Sequence, residues 1–396
     1  MVEKTSRFLN RPVPVPEPES VPLSLYVHWP WCVHKCPYCD FNSRACPGGL
    51  PEDDYIDCLL KDLDGELQWV QGREVRTVYL GGGTPSLMRP ESVSGLLSGI
   101  RSRLPLAPGC EISMEANPGA VASGRLGAFS EAGINRLSVG VQSFQDPQLR
   151  FLGRIHTSRE AVETLGEVRR CFSNCNLDLM FGLPGEDLEL LKKDLSRAVG
   201  CGSTHLSVYQ LTIEQGTAFA RRPPPGLPDP DELCDMADAV VSFLGRAGFR
   251  RYEVSGYAQE GRQCRHNLNY WQYGDYLAIG AGAHGKVSTK KGVLRFAKHS
   301  SPGRYMDSVR SGQGPAHSRW VADRQLPFEF MLDALRLIDG VPRVYFESRT
   351  GLREEAIGPE LDEARRRGLL ADAGDRFRAT EKGMDFLSDL QEIFLI

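Results

Sequence analysis

Three cysteines fall within eight residues of one another: Cys32, Cys36 and Cys39, in a C-x3-C-x2-C spacing inside the stretch LSLYVHWPWCVHKCPYCDFN. Thiolates this close together on one segment suit a soft metal centre. An iron-sulfur cube has four irons, and electron-transfer clusters close them all with cysteine. Three cysteines on one loop leave an iron open, and an open position lets a metal site hold a small molecule. Two other readings use the same thiolates. One is a structural zinc completed by His34 or Cys46, the other a closed cluster with Cys46 as fourth thiolate.

A second set of polar residues recurs where apolar runs end. Runs at 23–28, 75–80, 111–115, 136–141, 176–181 and 205–209 read as strands between helix-length amphipathic segments. Gly82, Gly83 and Thr84 follow the second, Glu115 ends the third, Gln142 follows the fourth, Asp178 lies in the fifth, and Gln210 and Thr212 follow the sixth. Chemistry in α/β barrels collects at the C-terminal strand ends, so one shared site is expected. The glycines let backbone N–H groups approach an anionic or carboxylate-bearing ligand. No Lys-Ser/Thr follows them, which excludes a P-loop. Glu115 and Asp178 suit an ammonium, a sulfonium or ribose hydroxyls. A buried ion pair with Arg136 or Arg154 is the structural alternative.

The elements that must position these residues form an α/β fold. Six strand–helix units argue for a parallel sheet, short of the eight that close a barrel. That leaves an incomplete barrel or an open doubly wound sheet. Pro51-Glu52-Asp53-Asp54 and Pro90-Glu91 mark helix starts. Past the sixth strand come a helix at 229–244, a segment CRHNLNYW around Cys264 and His266, and a small-residue run, AIGAGAHG, ending at His284 and Gly285. His266 suits an iron ligand or, equally, a residue that pins a loop by hydrogen bonds. After 300–311 the pattern changes to helices at 328–338 and 361–367, a hairpin at 369–371 and 376–379, and a closing helix at 381–395, a winged-helix-like order. The domains expected are an extended leader over 1–20 with alternating Pro12, Pro14, Pro16 and Pro18, a barrel with its extension over 21–300, and a C-terminal unit over 301–396.

Taken together, YVHWPWCVHKCPYCDFN, GGGTPS, MEANPG, GVQSF, LDLMFGLPG and HNLNYW resemble the radical S-adenosylmethionine (radical SAM) superfamily and, within it, the HemW-type haem chaperones related to anaerobic coproporphyrinogen III oxidase. The likeness runs from about Leu23 to the C-terminus. It implies an incomplete (β/α)6 radical SAM barrel with a 4Fe-4S cluster on Cys32, Cys36 and Cys39, and S-adenosyl-L-methionine at the open iron. Tyr26, Gly82, Glu115 and His284 fall where the oxidase relatives hold that molecule. Tyr38, Gly83, Thr84, Gln142, Arg154, Asp178 and Thr212 fall where they hold a second copy. The resemblance makes haem a ligand, with His266 as candidate ligand residue, and haem chaperoning the function. Oxygen-independent oxidation of coproporphyrinogen III is the alternative. Three departures from the oxidase favour the chaperone: Tyr38 replaces a Phe, Phe41 replaces a further Cys, and the long N-terminal covering segment is missing. The implied partners are haem-accepting proteins, respiratory-chain proteins among them, and an electron donor.

Composition narrows the class further. The 396 residues carry a formal net charge of −4, and the span 319–396 holds 12 Lys/Arg against 16 Asp/Glu, which argues against nucleic acid as partner. Eleven cysteines, an odd number without a secreted framework, point to a reducing compartment. No run approaches the roughly 18 apolar residues of a membrane span and no signal peptide is visible, so a cytoplasmic protein is expected.

Overall fold

The computed structural model describes residues 18–46, 49–120 and 124–395. The expected leader lies outside them up to residue 17, and its end, Pro18–Ser20, forms a 3-10 turn instead of extended chain.

Six strands appear where the apolar runs place them: β1 (Leu23–Trp29), β2 (Val75–Gly82), β3 (Leu106–Ala116), β4 (Arg136–Gln142), β5 (Cys175–Phe181) and β6 (His205–Gln210). Each is parallel to the next. Their apolar residues are buried on both faces, as parallel strands under covering helices require; β1 has only Tyr26 partly exposed. The crossovers carry α1 (Glu52–Glu66), α2 (Pro90–Arg101), α3 (Arg125–Ala132), α4 (Ser158–Cys171) and α5 (Leu188–Gly200). Their starts follow local chemistry. Pro90 opens α2, Asp187 caps Leu190 N–H at the start of α5, and Thr157 and Glu160 form a reciprocal capping box before α4.

The sheet continues beyond the expected six. After β7 (Arg250–Arg251) and β8 (Gly256–Ala258), which extend the β6 edge antiparallel, β9 (Asp275–Ile279) inserts on the far side of β1 and runs parallel to it. Three antiparallel strands, β10 (His284–Thr289), β11 (Gly292–Ala297) and β12 (His317–Trp320), complete that side. The order β12-β11-β10-β9-β1-β2-β3-β4-β5-β6-β8-β7 has two free edges, so the barrel is incomplete as expected.

From Val321 onward a second core forms around Phe330, Phe346 and Phe377, whose rings meet edge to face at 5.3 to 6.3 Å. It is continuous with Tyr273 and Val293 of the sheet region. Several expected boundaries shift here. The helix expected at 328–338 spans Leu326–Ala334, with Pro327 in its first turn where a missing N–H is harmless. The closing helix breaks at Phe386, whose φ of −110° and ψ of 44° are not helical, into Glu381–Asp385 and Leu387–Glu392. The hairpin reduces to isolated bridges, Leu370 to Ala379 and Ala373 to Arg376, because Arg376–Phe377 pairs instead with Val341–Pro342.

Candidate cluster and cofactor site

The cysteine loop leaves the C-terminal end of β1 and is held from both sides. Gly83 N–H donates to Trp29 O at 2.6 Å and Thr84 N–H to Trp31 O at 2.8 Å, which fixes the loop's root to the turn after β2. Asn42 at its far end donates to Ala281 O and Ser300 O, each at 2.9 Å. Within it, Lys35 Nζ donates to Phe41 O and Ser43 O. Gly83 is glycine for steric reasons: a Cβ there would stand 2.5 Å from Trp31 O and 2.8 Å from Trp29 O.

Cys32, Cys36 and Cys39 line one cavity of about 700 Å³ together with Tyr38, Gly82, Gly83, Thr84, Glu115, Gln142, Arg154, Asp178 and Thr212. Polar residues from successive strand ends therefore do converge. Tyr26 and His284 line a neighbouring cavity of about 1130 Å³ together with Gly82 and Glu115. The two cavities meet at Gly82, Glu115, Asp40, Phe41 and Trp271.

The carboxylates are held by neutral donors, not by Arg136 or Arg154. Tyr79 OH donates to Glu115 Oε1 at 2.9 Å and Gly82 N–H to Oε2 at 3.0 Å. Burial outweighs these bonds and pushes the Glu115 carboxyl up to about 7. Burial likewise raises Asp178, which accepts from Asn176 Nδ2 at 2.7 Å and Ser138 Oγ at 3.1 Å. Asn176 in turn accepts from His205 and Ser207, so a polar network runs along the cavity floor. Gln142 adopts a left-handed backbone, φ 72°, uncommon outside glycine, and its Oε1 accepts from Tyr209 OH at 2.6 Å. Arg154 donates to Gly140 O at 2.6 Å and directs Nη1 to Cys36 Sγ at 3.7 Å, while its buried Nε has no partner among the described residues.

The thiol set suits a cube. All three cysteines are free and partly exposed to the same cavity, and burial raises the thiols of Cys32 and Cys39. A cube would take each of the three thiolates on a different iron. Cys46 does not line the cavity; its Sγ donates to Gly49 O at 3.2 Å.

His266 sits elsewhere, at the start of α6 (Arg265–Trp271). It is 1% exposed, its Nδ1 is bonded to Thr77 Oγ1 at 2.7 Å and its Nε2 to Tyr270 OH at 2.8 Å, and it stacks on Tyr79. Burial pushes it down to about 3, so it is neutral, with both ring nitrogens engaged. That arrangement, with each ring nitrogen hydrogen-bonded, is the one the loop-pinning alternative needs. Sequence reasoning passed over Tyr79, Asn176, His205 and Tyr209. Their signal was present as polar or amphipathic side chains inside otherwise apolar strands.

Comparison with known proteins agrees with this architecture. The Radical SAM superfamily profile matches residues 26–198 and that of the HemN C-terminal domain matches 321–386. Among curated proteins, heme chaperone HemW of Escherichia coli strain K12 is 49% identical over 94% of this chain and 98% of its own. Heme chaperone HemW of Haemophilus influenzae is 44% identical over 96% of this chain and 99% of its own. Among solved structures, coproporphyrinogen III oxidase (HemN) from Escherichia coli, a radical SAM enzyme, superposes with a TM-score of 0.81 at 22% identity, covering 99% of this chain and 92% of its own; at that identity it speaks for the fold alone. With its cysteine loop on an open parallel sheet and near-complete alignment to both relatives, the chain belongs to the HemW family of the radical SAM superfamily.

Proposed function

We propose that this chain is a haem chaperone, binding haem and passing it to acceptor proteins, with a 4Fe-4S cluster on Cys32, Cys36 and Cys39 and exchangeable S-adenosyl-L-methionine at the open iron. The observation that carries the reading is three free thiols on one cavity wall, next to a larger cavity, in a chain 49% identical to a heme chaperone. The cluster, when bound, would supply the electron for one-electron chemistry at the sulfonium of S-adenosyl-L-methionine. Around it Gly82 and Gly83 bring backbone close to a ligand without side chains in the way. Glu115, with a carboxyl near 7, changes between proton donor and anionic acceptor close to neutrality. Arg154 donates towards Cys36 sulfur, a contact that tunes cluster potential. Phe41, where the oxidase has a further Cys, supports the chaperone over the oxidase. The acceptors are haem proteins, respiratory-chain proteins among them, reached in the cytoplasm. No helix among the described residues is long and apolar enough to cross a membrane.

The test is an anaerobic absorbance titration of cluster-loaded protein with haem. Saturation at one haem per chain, and no protoporphyrinogen formed from coproporphyrinogen III with reductant and S-adenosyl-L-methionine, is the expected result. Turnover of the porphyrinogen with no saturable haem binding would replace the chaperone by the oxidase.

A further inference from the structure

A third cavity, of about 400 Å³, lies away from the cysteine loop and, among the described residues, shares no lining with the two cavities beside that loop. Strand register explains its place. Phe296 pairs with Ser318 and Arg295 with Arg319, so Leu294, Phe296 and Ser318 share one face of β11 and β12 while the two arginines share the other. Arg295 and Arg319 line the large cavity beside the cluster; Leu294, Phe296 and Ser318 line this one, on the opposite face of the sheet. The end of α1 with the turn that follows it, and α7 (Pro302–Arg310) with the loop 312–316, form the remaining walls.

Its floor is a buried ionic cluster. Lys298 Nζ donates to Asp62 Oδ1 at 2.6 Å and to Glu66 Oε1 at 2.5 Å. Asp62 Oδ2 accepts from Tyr305 OH at 2.9 Å and from Gly280 N–H at 3.3 Å, so both Asp62 oxygens are engaged. Glu66 is not matched in this way. It is 4% exposed, and its Oε2 is buried with no partner among the described residues. Two carboxylates thus face one ammonium, and burial pushes the Glu66 carboxyl up to about 7 in spite of Lys298. Lys61, the other cation on the lining, is exposed and donates to Arg310 O at 3.0 Å.

A buried carboxylate oxygen without a donor is costly, so a ligand that supplies the donor gains what the fold leaves unmade. The donor that fits is a primary ammonium. Lys298 already holds Glu66 Oε1, which denies a guanidinium its two-point grip on the carboxylate, whereas an ammonium is a point charge that one oxygen can hold. Gln68 donates Nε2 to Gly65 O at 3.0 Å, which leaves its amide oxygen as a second acceptor on the lining. Leu294, Phe296 and Val309 supply apolar surface for a stem, and the half-buried Trp69 ring favours a nearby cation. A volume of about 400 Å³ is at the small end for ligand pockets, which suits a free amine of metabolite size.

We propose that this cavity binds a small primary amine, with the ligand's ammonium on Glu66 Oε2 and its apolar stem against Trp69, Leu294 and Phe296. The site stands apart from the haem-chaperone reading, since its residues belong to neither cavity beside the cysteines. It is joined to the cysteine loop by hydrogen bonds all the same. Asp62 holds Gly280 N–H, and the next residue, Ala281, accepts from Asn42 at the far end of that loop. The amine therefore sits against the frame that anchors the cysteines.

The test is a ligand-observed NMR titration of the full-length, cluster-loaded protein with S-adenosyl-L-methionine present, so that the amine is not read at the cofactor site. Three probes share one stem: phenethylamine, phenethyl alcohol, which lacks the charge, and phenethyltrimethylammonium, which keeps the charge but has no N–H donor. Wild type is expected to bind the amine saturably, one per chain, and each of the other two at least about tenfold more weakly, the loss of one charge-assisted hydrogen bond. Glu66→Gln is expected to weaken the amine at least about tenfold and to leave the alcohol unchanged. Ser318→Trp, at an exposed position on the edge strand β12, fills the cavity and is expected to remove binding of all three. Unchanged circular dichroism and cluster absorbance show that each variant is folded; should Glu66→Gln fail to fold, the wild-type probes and Ser318→Trp decide. Equal binding of amine and alcohol by wild type, no saturable amine binding, or wild-type amine affinity in either folded variant overturns the assignment and leaves the haem-chaperone reading untouched.

Discussion

Replacing Gly83 by alanine tests whether the turn after β2 sets the position of the cysteine loop. The added Cβ would meet Trp31 O at 2.5 Å, Trp29 O at 2.8 Å and Trp31 N at 2.8 Å. All three are backbone atoms, so no rotamer change relieves the overlap. Overpacking of this kind costs about 1–3 kcal/mol. The movement that relieves it also weakens two backbone hydrogen bonds, Gly83 to Trp29 and Thr84 to Trp31, each worth about 0.5–1.5 kcal/mol. Against this, alanine restricts the unfolded chain and returns about 0.4–1 kcal/mol. The balance is a loss of about 3 kcal/mol, which lowers a urea midpoint by about 1 M at an m value near 3 kcal/mol/M. Gly95→Ala is the internal control. Gly95 lies within α2 with nothing within 4 Å of its would-be Cβ, so alanine should raise stability by about 0.5–1 kcal/mol. Urea unfolding followed by circular dichroism, with iron content after anaerobic reconstitution, measures both. Gly83→Ala should unfold earlier and take up less iron. Equal midpoints with full iron loading in Gly83→Ala would refute the argument that this close approach positions the cluster loop.

Cys36→Ala should abolish the cluster absorbance after reconstitution while Cys46→Ala leaves it intact, because Cys46 does not face the cavity; full iron in Cys36→Ala would sink the ligand set. Glu115→Gln should flatten part of the pH dependence of thermal stability. With its carboxyl at about 7, folded Glu115 keeps its proton where the unfolded residue, near 4.5, has lost it, so that contribution is present below 4.5 and disappears as pH rises through 7. The variant should therefore melt higher than wild type at about pH 8 and no higher at about pH 4; parallel melting curves at both would show that the carboxyl is not perturbed. Lys298→Met leaves Asp62 and Glu66 without the buried ammonium that bridges them at 2.6 and 2.5 Å, and should cost about 3–5 kcal/mol in a chemical denaturation experiment. A loss below about 1 kcal/mol would show that the ammonium bridge does not hold this buried cluster together.

Much of the fold was legible because parallel strands buried on both faces must be written as short apolar runs, and β1 to β6 were found that way. The seventh parallel strand, β9, escaped because it opens with Asp275. That carboxylate is buried, satisfied by Lys286, 11 residues on, at 3.0 Å and by Arg73, 202 residues away in sequence, at 2.7 Å. A charge whose partners lie elsewhere in the chain looks like a surface residue until the chain has folded. The break at Phe386 escaped for a different reason, since helical periodicity continues across it.

For the site, the amino-acid sequence by itself supplied the candidate thiols and the turn beside them, because three thiols at fixed spacing and a glycine run are local features. It also determined that polar side chains recur at the strand ends, because alternation and strand direction follow from the backbone. Only the tertiary structure decided which of these groups share a cavity and which are already bonded. It seated Tyr26 and His284 with Gly82 and Glu115 on the cavity beside the cysteines, gave Glu115 neutral partners instead of an arginine, and engaged both nitrogens of His266. The reason is physical: residue type fixes what a side chain can bind, but burial and partners, set by distant segments, decide whether it is still available to do so.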